Sequence, residues 1–155
     1  LPVVTRKRIV TGSPTEVHEL VSNPARLPEW WPRVIRVEDI SGGPGAAGTR
    51  WTCVLEADSG RLLRLDYRCS SASPAKSYEW EHELEGTPYE AHLTRQSTEI
   101  RLAGTAEGTE VRLTTVNSLR GSARIAGFSM KKGQRQLLDS ALVSLAGIFG
   151  EPDSK

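Results

Sequence analysis

What this chain has little of sets the first limits on what it is. No run of about 18 consecutive apolar residues occurs, so no segment reads as a membrane span. The formal net charge is only +1, which argues against a nucleic-acid surface, because such domains are strongly basic on one face. The one tight basic run, Arg6, Lys7 and Arg8, lies beside Ile9 and Val10 and reads as an exposed strand end. The opening does not resemble a secretory signal, since Val3 and Val4 are followed almost directly by charges. Leu1 is not an initiator residue, which leaves room for residues upstream. No internal repeat, low-complexity tract or linker appears. A length of 155 residues suits one ordinary domain with a real core, so a single domain over 1–155 is expected.

Catalytic signatures are equally scarce. Gly-x-Ser-x-Gly is absent, and no Ser, His, Asp order with supporting turns is visible. Glu79, Glu81 and Glu83 alternate with Tyr78, Trp80, His82 and Leu84, so the carboxylates share a solvated strand face and do not form a glycosidase pair. Gly43 to Gly48 spells G-x-G-x-x-G. That pattern binds a pyrophosphate only when a helix N-terminus follows it, and here Arg50 to Val54 reads as a strand, so the glycines are expected to form a loop. His82 and His92 face each other if a turn spans Gly86 to Pro88, which would give a proton-transfer pair or half a metal site. A third ligand is missing, and His18 falls on the outer side of the first helical segment, so no metal is expected.

What is present is a long helix at the end of the chain, from about Ser122 to Phe149. Leu138, Ala141, Leu142, Leu145, Ile148 and Phe149 recur at steps of three and four, one helical face, while Lys132, Gln136, Asp139 and Ser140 lie opposite with Val143 as the apolar exception. Gly150 and Pro152 stop it. Gly127 and Gly133 weaken its first half by about 1 kcal/mol each relative to Ala. Ile125 and Phe128 fall out of phase with the later stripe.

The remainder reads as strands and two short helices. Val3 to Val10 is β-branched; Ser13, Pro14 and Glu16 then form a capping box that opens a helix buried through Val17, Leu20 and Val21. A second helical piece, Ala25 to about Glu29, is bounded by prolines and ends at Trp30 and Trp31. Adjacent helical positions cannot both point inward, so one indole is assigned to the sheet and the other to the cavity entrance. Strands follow at Val34–Ile40, Arg50–Ala57, Arg61–Cys69, Ser77–Leu84, about Ala91–Leu102 and Glu110–Leu119. The turn at Asp58, Ser59 and Gly60 sets Leu55 opposite Leu63, Cys53 opposite Leu65 and Trp51 opposite Tyr67. It also separates Cys53 from Cys69 by roughly 13 Å along the sheet, too far for a disulfide, so both are expected as free thiols in a reducing, cytoplasmic setting. On the next strand Thr94, Gln96, Thr98, Ile100 and Leu102 share a face, and Val111, Leu113, Thr115 and Asn117 point inward from the last. The expected class is α+β: about seven antiparallel strands curled around the C-terminal helix.

At this point the chain resembles the START-like, or Bet v 1-like (SRPBCC), helix-grip superfamily and, within it, the polyketide cyclase/dehydrase-like lipid-binding proteins. The resemblance runs through Ile9, Ser13 to Val17, Leu20 to Asn23, Pro28, Trp30, Pro32, Val34 and Val37. It continues in Gly45, Gly48 and Thr49, in the turn at Gly108, Thr109 and Val111, and in Leu142 and Leu145 of the terminal helix. These are structural signatures and the superfamily shares no catalytic motif. What the resemblance implies is a cavity between sheet and helix, open near the short helices and strand loops, that takes a lipid, isoprenoid or polyketide. Its lining would be Trp30, Trp31, Trp51, Cys53, Leu55, Leu63, Leu65, Tyr67, Tyr78, Trp80, His82, Gln96, Thr98, Thr115 and Asn117, opposite Phe128 and Leu138. Aromatic walls with scattered hydroxyl and amide groups suit a mostly apolar ligand bearing a few oxygens. The alternative is a cyclase, aromatase or dehydratase in which Tyr67, Tyr78, His82 or His92 moves protons. Neither reading needs a cofactor, and the partner expected is a small hydrophobic molecule, bound by a monomer or homodimer.

Overall fold

The structure is a computed structural model that describes residues 3–121 and 127–153, the side chains of 127–129 excepted. Strand β1 (Val3–Val10) leads into helix α1 (Pro14–Val21), a 3-10 turn (Pro24–Arg26) and helix α2 (Leu27–Trp30). Strands β2 (Val34–Ser41), β3 (Arg50–Glu56), β4 (Leu62–Ser73), β5 (Ser77–His82), β6 (Leu93–Thr105) and β7 (Gly108–Leu119) follow, and helix α3 (Gly127–Phe149) closes the order. The strands form one antiparallel sheet in the order β1-β7-β6-β5-β4-β3-β2. With three helices on one face, this is the helix-grip architecture.

Local chemistry explains most boundaries. Ser13 Oγ accepts from the Glu16 amide at 3.2 Å and Pro14 occupies the first helical position, which starts α1; Asn23 Oδ1 accepts from Ala25 N and starts the 3-10 turn. The β3–β4 hairpin carries the expected pairs Leu55/Leu63, Cys53/Leu65 and Trp51/Tyr67. Both cysteines are free and buried. Gly108, at φ +144°, enters β7 where an added Cβ would sit 2.0 Å from the Val10 carbonyl, so only glycine fits. The Gly43–Gly48 segment is a loop. Its Gly45, Ala46 and Gly48 amides donate to the carbonyls of Ser22, Gly43 and Cys69, so those N–H groups are consumed by the protein and none is turned toward a phosphate.

Four expectations change. His18 is buried, because α1 lies across the sheet and Nε2–H donates to the Ser77 carbonyl at 3.1 Å where β5 begins. On α3, Leu138, Ala141, Leu142 and Leu145 are buried with Ala146, but Ile148 is 43 % exposed. It shares a helix flank with Leu137; near Gly150, whose carbonyl accepts from Thr11 N, the helix has reached the end of β1 and no sheet remains beneath that flank. A register shift between Leu93 and Arg95 turns Thr94 outward and Leu93 inward, so the alternating face of β6 starts only at Gln96. Finally, Arg6 to Arg8 lie within β1, not at its end: Arg6 Nε donates to Asp139 at 2.8 Å and Arg8 pairs with Glu151. Ile125, and the stretch of helix anticipated from Ser122 to Ala126, lie outside the described residues.

Candidate functional site

Both tryptophans that follow α1 point inward. Trp30 ends α2, but Trp31 is extended (φ −88°, ψ 127°), and that change of backbone swings its indole back to the side Trp30 occupies. The rings meet edge-on at 5.2 Å, and both meet Trp80 of β5, at 6.1 and 5.1 Å. The assumption that two neighbouring indoles must diverge fails because it required both residues to be helical. Trp51 stacks with Tyr67 and Tyr78 and approaches Trp80 edge-on at 6.3 Å, which extends the aromatic block along the inner faces of β3, β4 and β5.

Next to this block the sheet and α3 do not close, leaving a cavity of about 180 Å³. Its apolar wall is Trp31, Leu55, Leu65, Trp80 and Leu137; its polar atoms come from Tyr67, Gln96, Ser97, Thr98, Thr115 and Gln134. A void of about 10 Å³, room for roughly one water, adjoins it at Trp51 and Cys53.

The polar wall is fixed from the neighbouring strands. His82 Nδ1 lies 2.9 Å from Gln96 Oε1, and Gln96 Nε2 donates to Asn117 Oδ1 at 2.9 Å. An amide oxygen only accepts, so in this arrangement Nδ1 carries the imidazole proton. Burial lowers the His82 pKa, against the smaller opposing effects of Gln96 and Asp66, and holds the ring neutral. It packs against Tyr67 at 5.0 Å and Tyr89 at 5.3 Å. Thr98 and Thr115 are cross-strand partners one step along the same face as the Gln96/Asn117 pair. Thr115 Oγ1 and Asn117 Nδ2 are buried with no hydrogen-bond partner among the described residues. Burial raises Tyr67 far above the usual phenol range, with smaller contributions from Cys53 and Tyr89. It pushes the Cys53 thiol up to about 12. At neutral pH Tyr67 therefore keeps its proton and can donate a hydrogen bond but not act as a base, and Cys53 is no nucleophile.

Of the residues marked out in the sequence, Trp31, Leu55, Leu65, Tyr67, Trp80, Gln96, Thr98 and Thr115 border the cavity. Trp51 and Cys53 border the small void. Trp30 and Leu138 are core, and Leu63 is half-buried away from the opening. His82 and Asn117 flank Gln96 on the neighbouring strands and do not border the cavity themselves. Tyr78 is buried beside Cys69, and burial followed by that thiol raises its pKa. His92 is exposed beyond a 3-10 turn at Pro88–Ala91. It cannot face His82, because the β5–β6 connection is longer than a tight turn and puts Gln96 across from His82. The side chain of Phe128 lies outside the described residues.

Ser97, Gln134 and Leu137 were not anticipated. For Gln134 a signal existed: it lies four residues before Leu138 on the apolar stripe of α3, a polar break in a hydrophobic row. Glu81 and Glu83 lie outside, paired with Arg68, Arg95 and Arg50, and Glu79 accepts from Ser70, so the three carboxylates face cations and a hydroxyl and not one another. Among the described residues no cluster of three or more His, Cys, Asp or Glu is placed to hold a metal ion, and no helix is long and apolar enough to cross a membrane.

An open antiparallel sheet gripping a C-terminal helix is the helix-grip fold, shared with START and Bet v 1-like proteins. Within it the chain belongs to the family described as polyketide cyclase / dehydrase and lipid transport, which matches residues 2–149. No curated protein matches it significantly in sequence. Among solved structures it is similar to a START superfamily protein from Mycobacterium smegmatis (13% identity, TM-score 0.74, 95% of this chain and 96% of that one). It is also similar to the di-domain aromatase/cyclase StfQ of the steffimycin biosynthetic pathway (15%, 0.74), with 96% of this chain covering half of that one. Ara h 8.0201 is a third (13%, 0.65, 94% and 97%). At such identities the likeness is one of fold.

Proposed function

We propose that this protein binds and carries a small, mostly apolar molecule in the cavity between its sheet and α3. The observation that carries the reading is the cavity itself: about 180 Å³ left open beside a largely buried core. Empty apolar space lowers stability because the surrounding atoms lose contacts, so a hole of this size is retained most readily where something occupies it. An engineered cavity of about 150 Å³ holds one benzene, which sets the scale of the buried part of the ligand at a single ring or one short branched unit. A longer lipid, isoprenoid or polyketide chain would extend beyond this space. Free buried thiols are consistent with a reducing, cytoplasmic location.

The test is ligand-dependent melting across a panel of short isoprenoids, aromatic polyketide fragments and fatty acids, repeated with Leu137→Trp, which fills the opening from α3. A binder at a hundredfold excess over its Kd should stabilise the native protein by about 2.7 kcal/mol and should lose that effect in the variant. A panel without effect on either protein would remove this reading.

A second reading, a cyclase or dehydratase, is favoured by one feature. Tyr67 presents to the cavity a phenol that keeps its proton, suited to donating a hydrogen bond that polarises a substrate carbonyl as a carbon–carbon bond forms or water leaves. His82 would act through Gln96, by holding its amide, and not on substrate. Tyr67→Phe with unchanged products from a reactive poly-β-ketone would dismiss it.

A further inference from the structure

The cavity has two unlike halves. Trp31, Trp80, Leu55 and Leu65 supply an oily side, while Thr98, Thr115 and Gln96 form a compact polar side on neighbouring strands. Both ends of the Gln96 amide are engaged, by His82 and Asn117, so it is fixed and not free to reorient around a guest. The Thr115 side chain is different: the residue borders the cavity and is 2 % exposed, while its hydroxyl, shielded from solvent, has no hydrogen-bond partner among the described residues. A buried hydroxyl left unpaired is costly, and a guest oxygen would relieve that cost. Among the described residues the lining holds no Asp, Glu, Lys, Arg or His, so nothing there compensates an ion removed from water.

We infer that the cavity selects a neutral, single-ring-sized molecule with one carbonyl oxygen, seated on Thr115 with its ring against Trp31 and Trp80, and rejects ionised acids of the same size. The carbonyl is the natural complement of a hydroxyl with a free proton, and an edge of aromatic rings accommodates a flat guest at little entropic cost. This rests on the ligand-binding reading and narrows its chemistry.

Three size-matched probes separate the possibilities: acetophenone, ethylbenzene and benzoate, titrated at neutral pH into the full chain and followed by tryptophan fluorescence, since two indoles line the site. Acetophenone should bind most tightly and benzoate at least about tenfold more weakly, because its charge finds no partner. Thr115→Val, nearly equal in volume, should weaken acetophenone about three- to tenfold, the worth of one hydrogen bond, and leave ethylbenzene unchanged; Thr115→Ser should restore the ketone. Benzoate binding as well as the ketone, or a Thr115→Val protein that holds the ketone undiminished, overturns the inference while leaving a ligand-binding cavity in place. If Thr115→Val does not fold, the wild-type ratio of ketone to acid decides the matter. No binding of any of the three would overturn this inference alone; the reading it rests on is decided separately by the melting panel of isoprenoids, polyketide fragments and fatty acids.

Discussion

At the level of single residues, the chain His82–Gln96–Asn117 shows how a buried polar row is kept in one arrangement. Each link is 2.9 Å long, and the imidazole at its end is neutral because charging it would require hydration that the site does not offer. That has a consequence for stability. The folded-state pKa of His82 lies below its ordinary value of 6.5, so the unfolded chain takes up a proton more readily than the native one as the pH falls. The contribution of neutral His82 is therefore complete above about 6.5 and is lost progressively as the pH drops from there toward the folded-state pKa. Urea unfolding of wild type and His82→Gln from pH 7.5 to about 5 should show a steeper fall for the wild type, with the two curves converging on the acid side. Parallel curves would mean that the ring is solvated or already charged. Sequence alternation had put His82, Gln96 and Asn117 on inner faces. Which of them would touch a guest was not legible, because that depends on which strand α3 leaves uncovered.

Among the elements, α3 carries the plainest test of what its periodicity means. Leu145 is fully buried, and Ile148, which falls on the same stripe by spacing, is 43 % exposed. Leu145→Ala should cost about 2–5 kcal/mol in chemical denaturation, whereas Ile148→Ala should cost less than about 1 kcal/mol. Equal losses would show that α3 lies over the sheet differently from the way described. The short helices teach a related point. Their caps and prolines were readable, and Ser13, Pro14 and Asn23 do what such residues do; the turn of backbone at Trp31 was not, because it is set by where β2 must begin to pair with β3. The β3–β4 hairpin was readable to the residue, since a short turn fixes register locally. The β5–β6 connection was not. Its ten residues from Glu83 to His92 include a 3-10 turn packed over Leu84, Leu93 and Leu119, contacts that no nearby pattern announces.

Over the whole molecule, the decisive pairing is that of β1 with β7, which joins the two ends of the sheet-forming segment: Val4 meets Thr115 and Val10 meets Thr109. Such a contact repays its loop-closure entropy only late, so refolding from urea should take milliseconds to seconds, not microseconds, by stopped-flow fluorescence. Submillisecond folding would contradict a sheet completed by its terminal strand. The two open edges are protected in different ways. Along β1 the run Arg6, Lys7, Arg8 puts charge where another chain would pair, and β2 is irregular, with register shifts after Val34 and Glu38 and a positive φ at Asp39. The basic run thus has a structural use that its charge alone did not reveal.

The amino-acid sequence by itself determined the number and kind of elements, the caps, the register of the tightest hairpin, the inward faces of most strands and the membership of a helix-grip class. Those features depend on contacts between residues close along the chain, or on periodicities of two and 3.6 that a linear reading preserves. Only the tertiary structure decided that both tryptophans turn inward, that His18 is buried, that His82 sits beside Gln96 while His92 is exposed, and that the space left between sheet and helix is about 180 Å³. The reason is physical: a cavity is the volume that remains when distant elements have packed, a small difference between large sums over the whole fold, and no local run of residues carries that difference.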